Sequence, residues 1–217
     1  MKIGVLGTGM VGRALASKLA SLGHEVMMGA RARGNEKASA WATENKGQVG
    51  SFADAGAFGE LVVVATLGSA TLGAALAAGE DNLAGKVLLD VTNPLDMSAG
   101  FPPTLLPDLI NTTSLGEALQ NALPRSHVVK ALNTMNCEVM VAPGRIAGDH
   151  DVFYCGNDTA AKTMVADLLK SFGWEAPIDL GGIEAARGTE GLMTFWLRMY
   201  GVVGNADFNY KIVRADA

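Results

Sequence analysis

The start of the chain combines a short apolar run, a glycine-rich turn and a stretch with helical spacing. The apolar run Ile3–Leu6 leads directly into Gly7-Thr8-Gly9-Met10-Val11-Gly12, which is a complete G-x-G-x-x-G pattern. Apolar residues then recur at the spacing of one helix face, and Gly23 follows as a stop signal; they are Val11, Leu15, Leu19 and Leu22. This order predicts a strand, a tight turn and a helix, which is the context that a nucleotide-binding turn requires.

Each glycine of this turn has a physical role in a dinucleotide-binding site. The first glycine permits the tight turn, the second lets the backbone approach a pyrophosphate, and the third lets the helix pack closely on the strand. The free N–H groups at the helix N-terminus then face the anion. The alternative is a glycine-rich turn that binds no ligand. We predict a pyrophosphate site formed by Gly7, Thr8, Gly9, Met10, Val11 and Gly12.

The end of the next predicted strand, His24–Gly29, indicates which nucleotide is bound. Folds that bind NAD or FAD usually carry Asp or Glu about 20 residues beyond the glycines, where the carboxylate accepts from the ribose hydroxyls. Gly29 occupies that position, and Arg31, Arg33 and Lys37 follow it. A guanidinium forms paired, charge-assisted hydrogen bonds to a 2′-phosphate, so this pattern favours NADP over NAD. For Arg33 and Lys37 the alternative of ordinary solvated loop charges stays open.

Three further apolar runs predict strands that end at one edge of a parallel sheet. They are Leu61–Ala65, Lys86–Val91 and His127–Leu132. Open α/β sheets bind ligands at the carboxyl ends of their strands, so the residues after each run are candidate cofactor contacts. Asn93 is either a turn residue or a polar contact to the cofactor. The candidates at this edge are Thr66 and Leu67, Asn93 and Pro94, and Asn133 and Met135.

The C-terminal part of the chain predicts two more strands and a long helix. Asp151–Gly156 and Ala176–Gly181 are the strands, and Pro177 places the second at the sheet edge because proline cannot donate within a central ladder. Between them lies a helix at Thr159–Phe172. Ile183–Val203 has helical spacing and is rich in aromatic and methionine side chains. This stripe either covers the sheet or a subunit contact, or it forms one wall of a flat-ring pocket.

The composition excludes several classes of partner. Only 18% of the residues are charged, the net charge is −5 and the hydrophobic fraction is 49%. Nothing in this balance attracts nucleic acid or anionic lipid, so we expect a small-molecule redox acceptor and a second copy of the chain, in a homodimer, as partners. Cys137 and Cys155 are isolated thiols, typical of a cytosolic protein rather than of a disulfide framework or zinc site. The uncharged stretch Leu61–Gly79 is best interpreted as strand, loop and helix, and we expect a cytoplasmic protein with no membrane segment.

The sequence contains no recognisable acid–base or metal-binding motif. His24, His127 and His150 are scattered, and no nucleophile elbow, H-E-x-x-H or P-loop occurs. We therefore predict no metal site and assign no catalytic residue. A nucleotide site without such groups suits hydride transfer between two flat redox rings, because the cofactors carry the reactive atoms and the protein supplies stacking, distance and electrostatics.

Several blocks of sequence, taken in order, carry a family resemblance that runs over almost the whole chain. They are the glycine-rich turn, Met28-Gly29-Ala30-Arg31, Asp90-Val91-Thr92-Asn93-Pro94-Leu95, the segment 129–136 and Phe208-Asn209-Tyr210-Lys211-Ile212-Val213. With these blocks the chain resembles the NADP oxidoreductase, coenzyme F-420-dependent family. The resemblance implies a Rossmann-type, doubly wound α/β fold with a mainly parallel sheet. We expect an NADP-binding domain at residues 1–181 and a C-terminal helical extension at 182–217, packed on the same domain.

The resemblance also implies a cofactor, an acceptor and roles for individual residues. Archaeal members pass hydride between NADPH and the deazaflavin coenzyme, and the cytosolic domain of membrane ferric reductases passes electrons from NADPH through a flavin. In the family the glycine-rich turn holds the pyrophosphate, and a small residue plus Arg hold the 2′-phosphate. Ala30 and Arg31 match that pair, although Ala30 lacks the hydroxyl often found there. The residues that approach the nicotinamide match Thr66, Leu67, Asn133 and Met135.

Three hypotheses follow from the sequence. The leading one is an NADPH-dependent oxidoreductase that transfers hydride between NADP(H) and coenzyme F-420 or a flavin, FMN or FAD. The second is an NADPH-dependent reductase of a small carbonyl, imine or quinone. The third is a non-catalytic NADP-binding sensor.

Overall fold

Short apolar runs alternate with helix-forming stretches along the chain, and the computed structural model, which describes residues 1–215, converts this alternation into a layered α/β fold. The strands in chain order are β1 (Lys2–Leu6), β2 (Glu25–Ala30), β3 (Gln48–Ser51), β4 (Leu61–Val64), β5 (Val87–Asp90), β6 (Leu95–Asp96), β7 (Thr104–Leu105), β8 (His127–Ala131), β9 (Phe153–Gly156) and β10 (Ile178–Asp179). The α-helices are α1 (Met10–Ser21), α2 (Glu36–Asn45), α3 (Phe52–Phe58), α4 (Gly68–Ala78), α5 (Glu80–Leu83), α6 (Leu115–Ala122), α7 (Cys137–Val141), α8 (Thr159–Phe172) and α9 (Ala186–Val203). Short 3₁₀ turns occur at Pro107–Leu109, Pro143–Arg145 and Ile183–Ala185.

The main sheet has the strand order β10-β9-β8-β5-β4-β1-β2-β3. From β3 to β8 all neighbouring strands are parallel. This is the doubly wound order. Strands β1 to β3 are added towards one edge of the sheet and β4 to β8 towards the other, so that a crevice opens between β1 and β4 at the carboxyl ends of the strands. β9 is antiparallel to β8, and β10 lies at the sheet edge. The predicted fold class, a mainly parallel Rossmann-type sheet, is therefore confirmed.

Both faces of the sheet are covered, because successive side chains of a buried strand point to opposite sides. In β4, Leu61 and Val63 belong to one apolar core and Val62 and Val64 to the other. α1 and α8 contribute to the first core, and α4 and α6 to the second. The apolar run at Leu61–Val64 is continuous because neither face of β4 is in contact with solvent.

Several details differ from the elements predicted above. The segment 98–107, in which no strand was predicted, contains β7, which pairs with β6 as a two-stranded antiparallel ribbon. The helix expected from Ile183 begins with a 3₁₀ turn and becomes α-helical only at Ala186. The short helices α5 and α7 and the antiparallel direction of β9 were not predicted.

α9 has one buried face and one exposed face. Met193 and Leu197 are buried, whereas the Phe195 side chain is 53% exposed. Trp196 stacks against Tyr200 and Phe208, with ring centroids 5.6 and 5.1 Å apart. α9 therefore packs on the preceding part of the chain, and the boundary predicted at residues 181 and 182 remains a prediction. The last two residues of the predicted extension lie outside the described residues.

The uncharged stretch from Leu61 to Gly79 forms β4, a loop and α4, as predicted. β4 is wholly buried in the sheet, and α4 packs beside it. Across the described part of the chain, no helix is both long enough and apolar enough to cross a membrane.

Candidate functional site

The carboxyl ends of β1, β2 and β4 open into a cleft of about 810 Å³. The cleft lies at this edge because α1 and α4 both begin there, after β1 and β4, and pack in different apolar cores. Of the predicted site residues, those that line the cleft are Gly7, Thr8, Gly9, Ala30, Arg31, Thr66 and Leu67. The remaining lining residues are Asn35, Phe52, Ala65, Ser69, Ala70, Gly73, Ala74 and Ala77.

The N-terminus of α1 presents free backbone donors to this cleft. Gly9 is the N-cap and has extended backbone angles, and no side chain caps the helix. The first intrahelical hydrogen bond runs from the Arg13 N–H to the Gly9 carbonyl, so the preceding N–H groups have no helical acceptor. Such an N-terminus binds anions through these donors and the helix dipole.

Two glycines of the turn have different surroundings. A Cβ atom built on Gly9 meets no heavy atom within 4 Å, whereas one built on Gly12 lies 2.3 Å from the Gly7 carbonyl oxygen. Gly12 is therefore required for the close packing of α1 on the strand. Gly9 instead leaves room on the ligand side, which is the space that an approaching pyrophosphate would fill. The structure thus fits a dinucleotide at this turn.

The cations after β2 differ in their availability. Arg31 lines the cleft and has no ion-pair partner within residues 1–215. Arg33 instead pairs with Asp54, with Nη2 and Oδ1 2.6 Å apart, and this guanidinium lowers the pKa of the Asp54 carboxyl well below its ordinary value. Lys37 lies in the exposed first turn of α2 and does not line the cleft. The structure therefore places one of the three predicted cations at the cleft.

The end of β2 leaves no room for an acidic side chain at Gly29. A Cβ atom built there lies 2.8 Å from the Ala55 Cβ and 3.2 Å from the Ser51 carbonyl oxygen, because α3 packs directly on this strand. The packing of α3 on β2 therefore excludes an acidic side chain at position 29, where it would bind a free ribose hydroxyl. Ala30, the next residue, faces the cleft.

The prediction missed lining residues contributed by helix starts. The Asn35 side chain accepts from the Ala38 N–H and caps α2, and Phe52 is the first residue of α3. The signal for Asn35 was an N-cap residue before a helical stretch, placed directly after the predicted cations. The wall that α4 contributes consists of small residues; they are Ala70, Gly73, Ala74 and Ala77.

The predicted residues at the ends of β5 and β8 join two loops to each other. The Asn93 side-chain amide donates to the Asn133 carbonyl over 2.7 Å, and the Asn133 amide donates to the Asn93 Oδ1 over 2.9 Å. Asn133 is only 1% exposed, and Pro94 and Met135 are buried too. None of these four residues lines the large cleft, since they lie at the next strands along the sheet edge.

Three residues of the predicted turn do not line the cleft: Gly12, which packs against the strand as described above, and Met10 and Val11. Met10 is 73% exposed and lines a neighbouring groove between α1 and α7, together with Asn136. Val11 packs against the apolar core. Their side chains therefore do not line the cleft, and any contact to a pyrophosphate there would use their backbone N–H groups.

A buried cluster of three charged side chains lies behind these loops and was missed by the prediction. The Lys130 Nζ is 2.8 Å from the Asp90 Oδ2 and 2.7 Å from the Glu190 Oε1, and none of the three side chains is more than 2% exposed. Burial lowers the pKa of Lys130, but the two carboxylates outweigh it and raise that pKa above its ordinary value. Burial raises the pKa of Glu190, although Lys130 opposes this. A lysine inside the apolar strand β8 was the available signal, because a buried charge requires a partner.

Among the described residues that line the cleft, none form an acid–base pair. Burial raises the pKa of the Cys155 thiol to about 12, and it also raises that of the half-buried Cys137. Neither cysteine reaches the cleft. Within residues 1–215, no three His, Cys, Asp or Glu side chains are grouped so that they could hold a metal ion. The arrangement can bind an extended anionic ligand, but the lining contributed by residues 1–215 holds no side chain suited to general acid or base catalysis.

Comparison with known proteins gives a consistent assignment. A family model described as NADP oxidoreductase, coenzyme F420-dependent, matches residues 2–94. An F420-dependent NADP reductase from Methanocaldococcus jannaschii is 32% identical over 200 residues, which cover 86% of this chain and 86% of that protein. A solved structure from Arthrobacter sp. FB24 is 53% identical, superposes with a TM-score of 0.94, and covers 99% of this chain and 100% of that one. That protein has been suggested to be an F420-dependent NADP reductase.

A longer relative shares only part of its length with this chain. Metalloreductase STEAP3 from Rattus norvegicus is 31% identical over 191 residues. The match covers 88% of this chain and 36% of the relative, so the chain spans about a third of that protein. The similarity concerns one portion of the metalloreductase and does not extend to the rest of it.

Proposed function

The chain belongs to the NADP oxidoreductase, coenzyme F420-dependent, family and is an NADP-dependent oxidoreductase; from this premise we propose that it transfers hydride between NADP(H) and a deazaflavin of the coenzyme F420 type or a flavin, FMN or FAD. The observation that carries the nucleotide part is the Arg31 guanidinium, which lines the cleft without an ion-pair partner in the described residues. The acceptor part is supported by the name of the Methanocaldococcus relative, which matches over most of both chains.

The cleft accounts for the adenosine half and the pyrophosphate of NADPH. The free N–H groups after Gly9 bind the pyrophosphate, and Arg31 binds the 2′-phosphate at the end of β2. The small residues of α4, such as Gly73 and Ala77, give the adenine a flat surface. Arg33 contributes less than Arg31 because its guanidinium is already paired with Asp54.

The nicotinamide half extends along the sheet edge past β4 towards β5 and β8. Thr66, Leu67 and the Asn93–Asn133 pair form the floor there, and the buried Pro94 and Met135 keep water from it. The cofactor supplies the hydride at nicotinamide C4. The chain's own residues hold the ring at the required distance and orientation, which is the main contribution that hydride transfer asks of a protein.

The direct test is NADPH oxidation with each acceptor in turn. We expect NADPH absorbance to fall when coenzyme F420 or a flavin is added, and to remain constant without an acceptor. A panel of small carbonyls, imines and quinones without flavin serves as the comparison, and turnover on that panel alone would select a small-substrate reductase. No oxidation with either ring acceptor would contradict the proposed acceptor class.

The proposal includes a cytoplasmic homodimer, and light scattering on the purified protein measures the number of subunits.

Replacing Arg31 with alanine should weaken NADPH binding by about 1.5–3 kcal/mol, the range for a charge-assisted hydrogen bond. NADH binding should change little, because NADH carries no 2′-phosphate for this guanidinium to bind. Titration of both nucleotides against wild type and Arg31→Ala measures the two losses. Equal losses for NADPH and NADH would rule out the phosphate role of Arg31.

Arg33→Ala is the matched comparison, because it removes a cation two residues away. Its guanidinium is bound by Asp54 through two hydrogen bonds of 2.8 and 2.6 Å. We therefore expect a smaller loss of NADPH affinity than for Arg31→Ala, below about threefold, the size of a surface charge effect. A larger loss for Arg33→Ala would make Arg33 the principal phosphate ligand.

A further inference from the structure

Three buried charges connect the C-terminal helix α9 to the carboxyl edge of the sheet. Lys130 at the end of β8 donates to the Thr92 carbonyl over 2.8 Å and lies within ion-pair distance of Asp90 and of Glu190 on α9. The ammonium thus donates one hydrogen bond to a backbone carbonyl and lies between two carboxylates at ion-pair distance. A buried lysine between two carboxylates is held in one position, since movement away from them leaves an uncompensated charge.

The second carboxylate of this cluster also caps a helix. Glu190 accepts from the Leu115 N–H over 2.8 Å and from the Gly116 N–H over 3.0 Å, at the start of α6. The positive end of the α6 dipole therefore stabilises the excess negative charge of the cluster. α9, α6 and β8 are fixed to one another at a single carboxylate.

The cluster continues into the loops at the nicotinamide half of the site. The Asp90 Oδ1 accepts from the Thr92 N–H and hydroxyl over 2.9 and 2.6 Å. Thr92 is therefore fixed by Asp90 through its two donors and by Lys130 through its carbonyl. Asn93 follows immediately and is paired with Asn133. Leu132, before Asn133, has a φ of 64°, a conformation that a branched side chain adopts only when its surroundings impose it.

We propose that Glu190 is a positioning residue for the nicotinamide ring, acting through Lys130 on Thr92 and so on the Asn93–Asn133 pair. This inference rests on the proposed function, which places the ring beside that pair. α9 contributes to the site by fixing the floor under the ring and does not touch the cofactor. Loss of the Glu190 carboxylate frees the Lys130 ammonium from one acceptor and releases the strained loop before Asn133.

The test compares two ligands that share the adenosine half. NADPH carries the nicotinamide, whereas 2′,5′-ADP ends before it and binds only where Arg31 and its neighbours lie. For Glu190→Gln we expect NADPH affinity to fall by about tenfold, the equivalent of one lost hydrogen bond to a charged group. The affinity for 2′,5′-ADP should stay within about twofold. Isothermal titration of both ligands gives the ratio, and a merely structural role for Glu190 would lower both affinities equally.

Glu117→Gln is the matched control. Glu117 also joins α6 to α9, because its carboxylate accepts from the Arg187 guanidinium over 2.8 Å, but it does not contact Lys130. We expect neither affinity to change by more than about twofold, because the Arg187 side chain of this pair is 41% exposed and the pair does not reach the sheet edge through Lys130. If Glu117→Gln changed the ratio as much as Glu190→Gln, general contact between the helices would explain the effect and the inference would be wrong.

The remaining outcomes separate this inference from the proposed function. Wild type that binds NADPH no better than 2′,5′-ADP would contradict the placement of the ring beside the Asn93–Asn133 pair and with it this inference, whereas the proposed hydride transfer fails only if NADPH oxidation is absent. Wild type with a clear preference for NADPH that Glu190→Gln retains would overturn only the positioning role. If Glu190→Gln does not fold, Glu190→Asp carries the test, since it keeps the charge but shortens the reach to Lys130. An unchanged ratio in that variant would also overturn the inference.

Discussion

Replacing Gly9 with alanine is expected to abolish tight NADPH binding while the fold stays intact. The added methyl group meets no protein atom within 4 Å, and the backbone angles of Gly9 are open to any residue. In the proposed complex, however, the methyl would occupy the space through which the pyrophosphate reaches the N–H groups of α1. Loss of two charge-assisted hydrogen bonds corresponds to about 3 kcal/mol or more, which is on the order of a hundredfold in affinity. Titration with NADPH and a thermal melt of the same sample measure the two effects.

Gly12→Ala provides the opposite pattern. Its methyl group would lie 2.3 Å from the Gly7 carbonyl oxygen, which is backbone and cannot move without shifting the strand. Overpacking of this kind costs about 1–3 kcal/mol of stability, so the melting temperature should fall. Gly9→Ala that binds NADPH like wild type would show that the pyrophosphate does not rest on this turn.

Replacing Lys130 with methionine is expected to destabilise the fold by about 3–5 kcal/mol, because it leaves the carboxylates of Asp90 and Glu190 buried without their cation. This is a large part of the roughly 5–15 kcal/mol that stabilises a typical domain. Urea unfolding of the variant and wild type measures the difference. Adding Glu190→Gln to Lys130→Met should recover part of the loss, since it removes one of the two stranded charges.

The loss in Lys130→Met should depend on pH in a defined direction. Burial already raises the pKa of Glu190, and removal of Lys130 takes away the attraction that opposes this rise. A carboxyl with a raised folded-state pKa favours the folded state when protonated, and this contribution disappears as pH rises from its unfolded value of about 4.3 through the folded pKa. The difference in unfolding free energy from wild type should therefore be small near pH 4 and should widen towards neutral pH.

Lys162→Met is the control for this experiment. Lys162 pairs with Asp179 at 2.9 Å, but the Asp179 side chain is 40% exposed. A surface pair of this kind contributes about 0–1 kcal/mol, so its removal should have little effect at any pH. A loss in Lys162→Met as large as that in Lys130→Met would show that the buried cluster is not a special source of stability.

The family, the enzyme class and the fold class predicted from the sequence are confirmed. The parallel core could be predicted because each central strand is short, apolar and covered on both faces, as Leu61–Val64 illustrates. The turn from Gly7 to Gly12 could be predicted because its meaning depends only on what directly precedes and follows it. The individual cofactor contacts, including Ala30, Thr66 and Met135, stay predictions until a nucleotide complex is measured.

Other features depended on partners distant in sequence. The sequence favoured Arg31 over Arg33 and Lys37 as the phosphate ligand, but only the fold shows that Arg33 pairs with Asp54 from α3 while Arg31 lines the cleft. Asn93 and Asn133 were each predicted as separate contacts, and the fold joins them through two hydrogen bonds. Such pairings follow from which loops meet at the sheet edge, and local patterns contain no information about that.

The sequence by itself determined the nucleotide-binding half of this protein, because a strand, a glycine turn and a helix start are local and their spacing is fixed by backbone geometry. The tertiary structure alone decided how α9 is tied to the sheet. Lys130 and Glu190 lie far apart along the chain, and the sequence around either residue does not predict the other as its partner. They meet because a charge excluded from water must find an opposite charge, and only the folded chain determines which one is within reach.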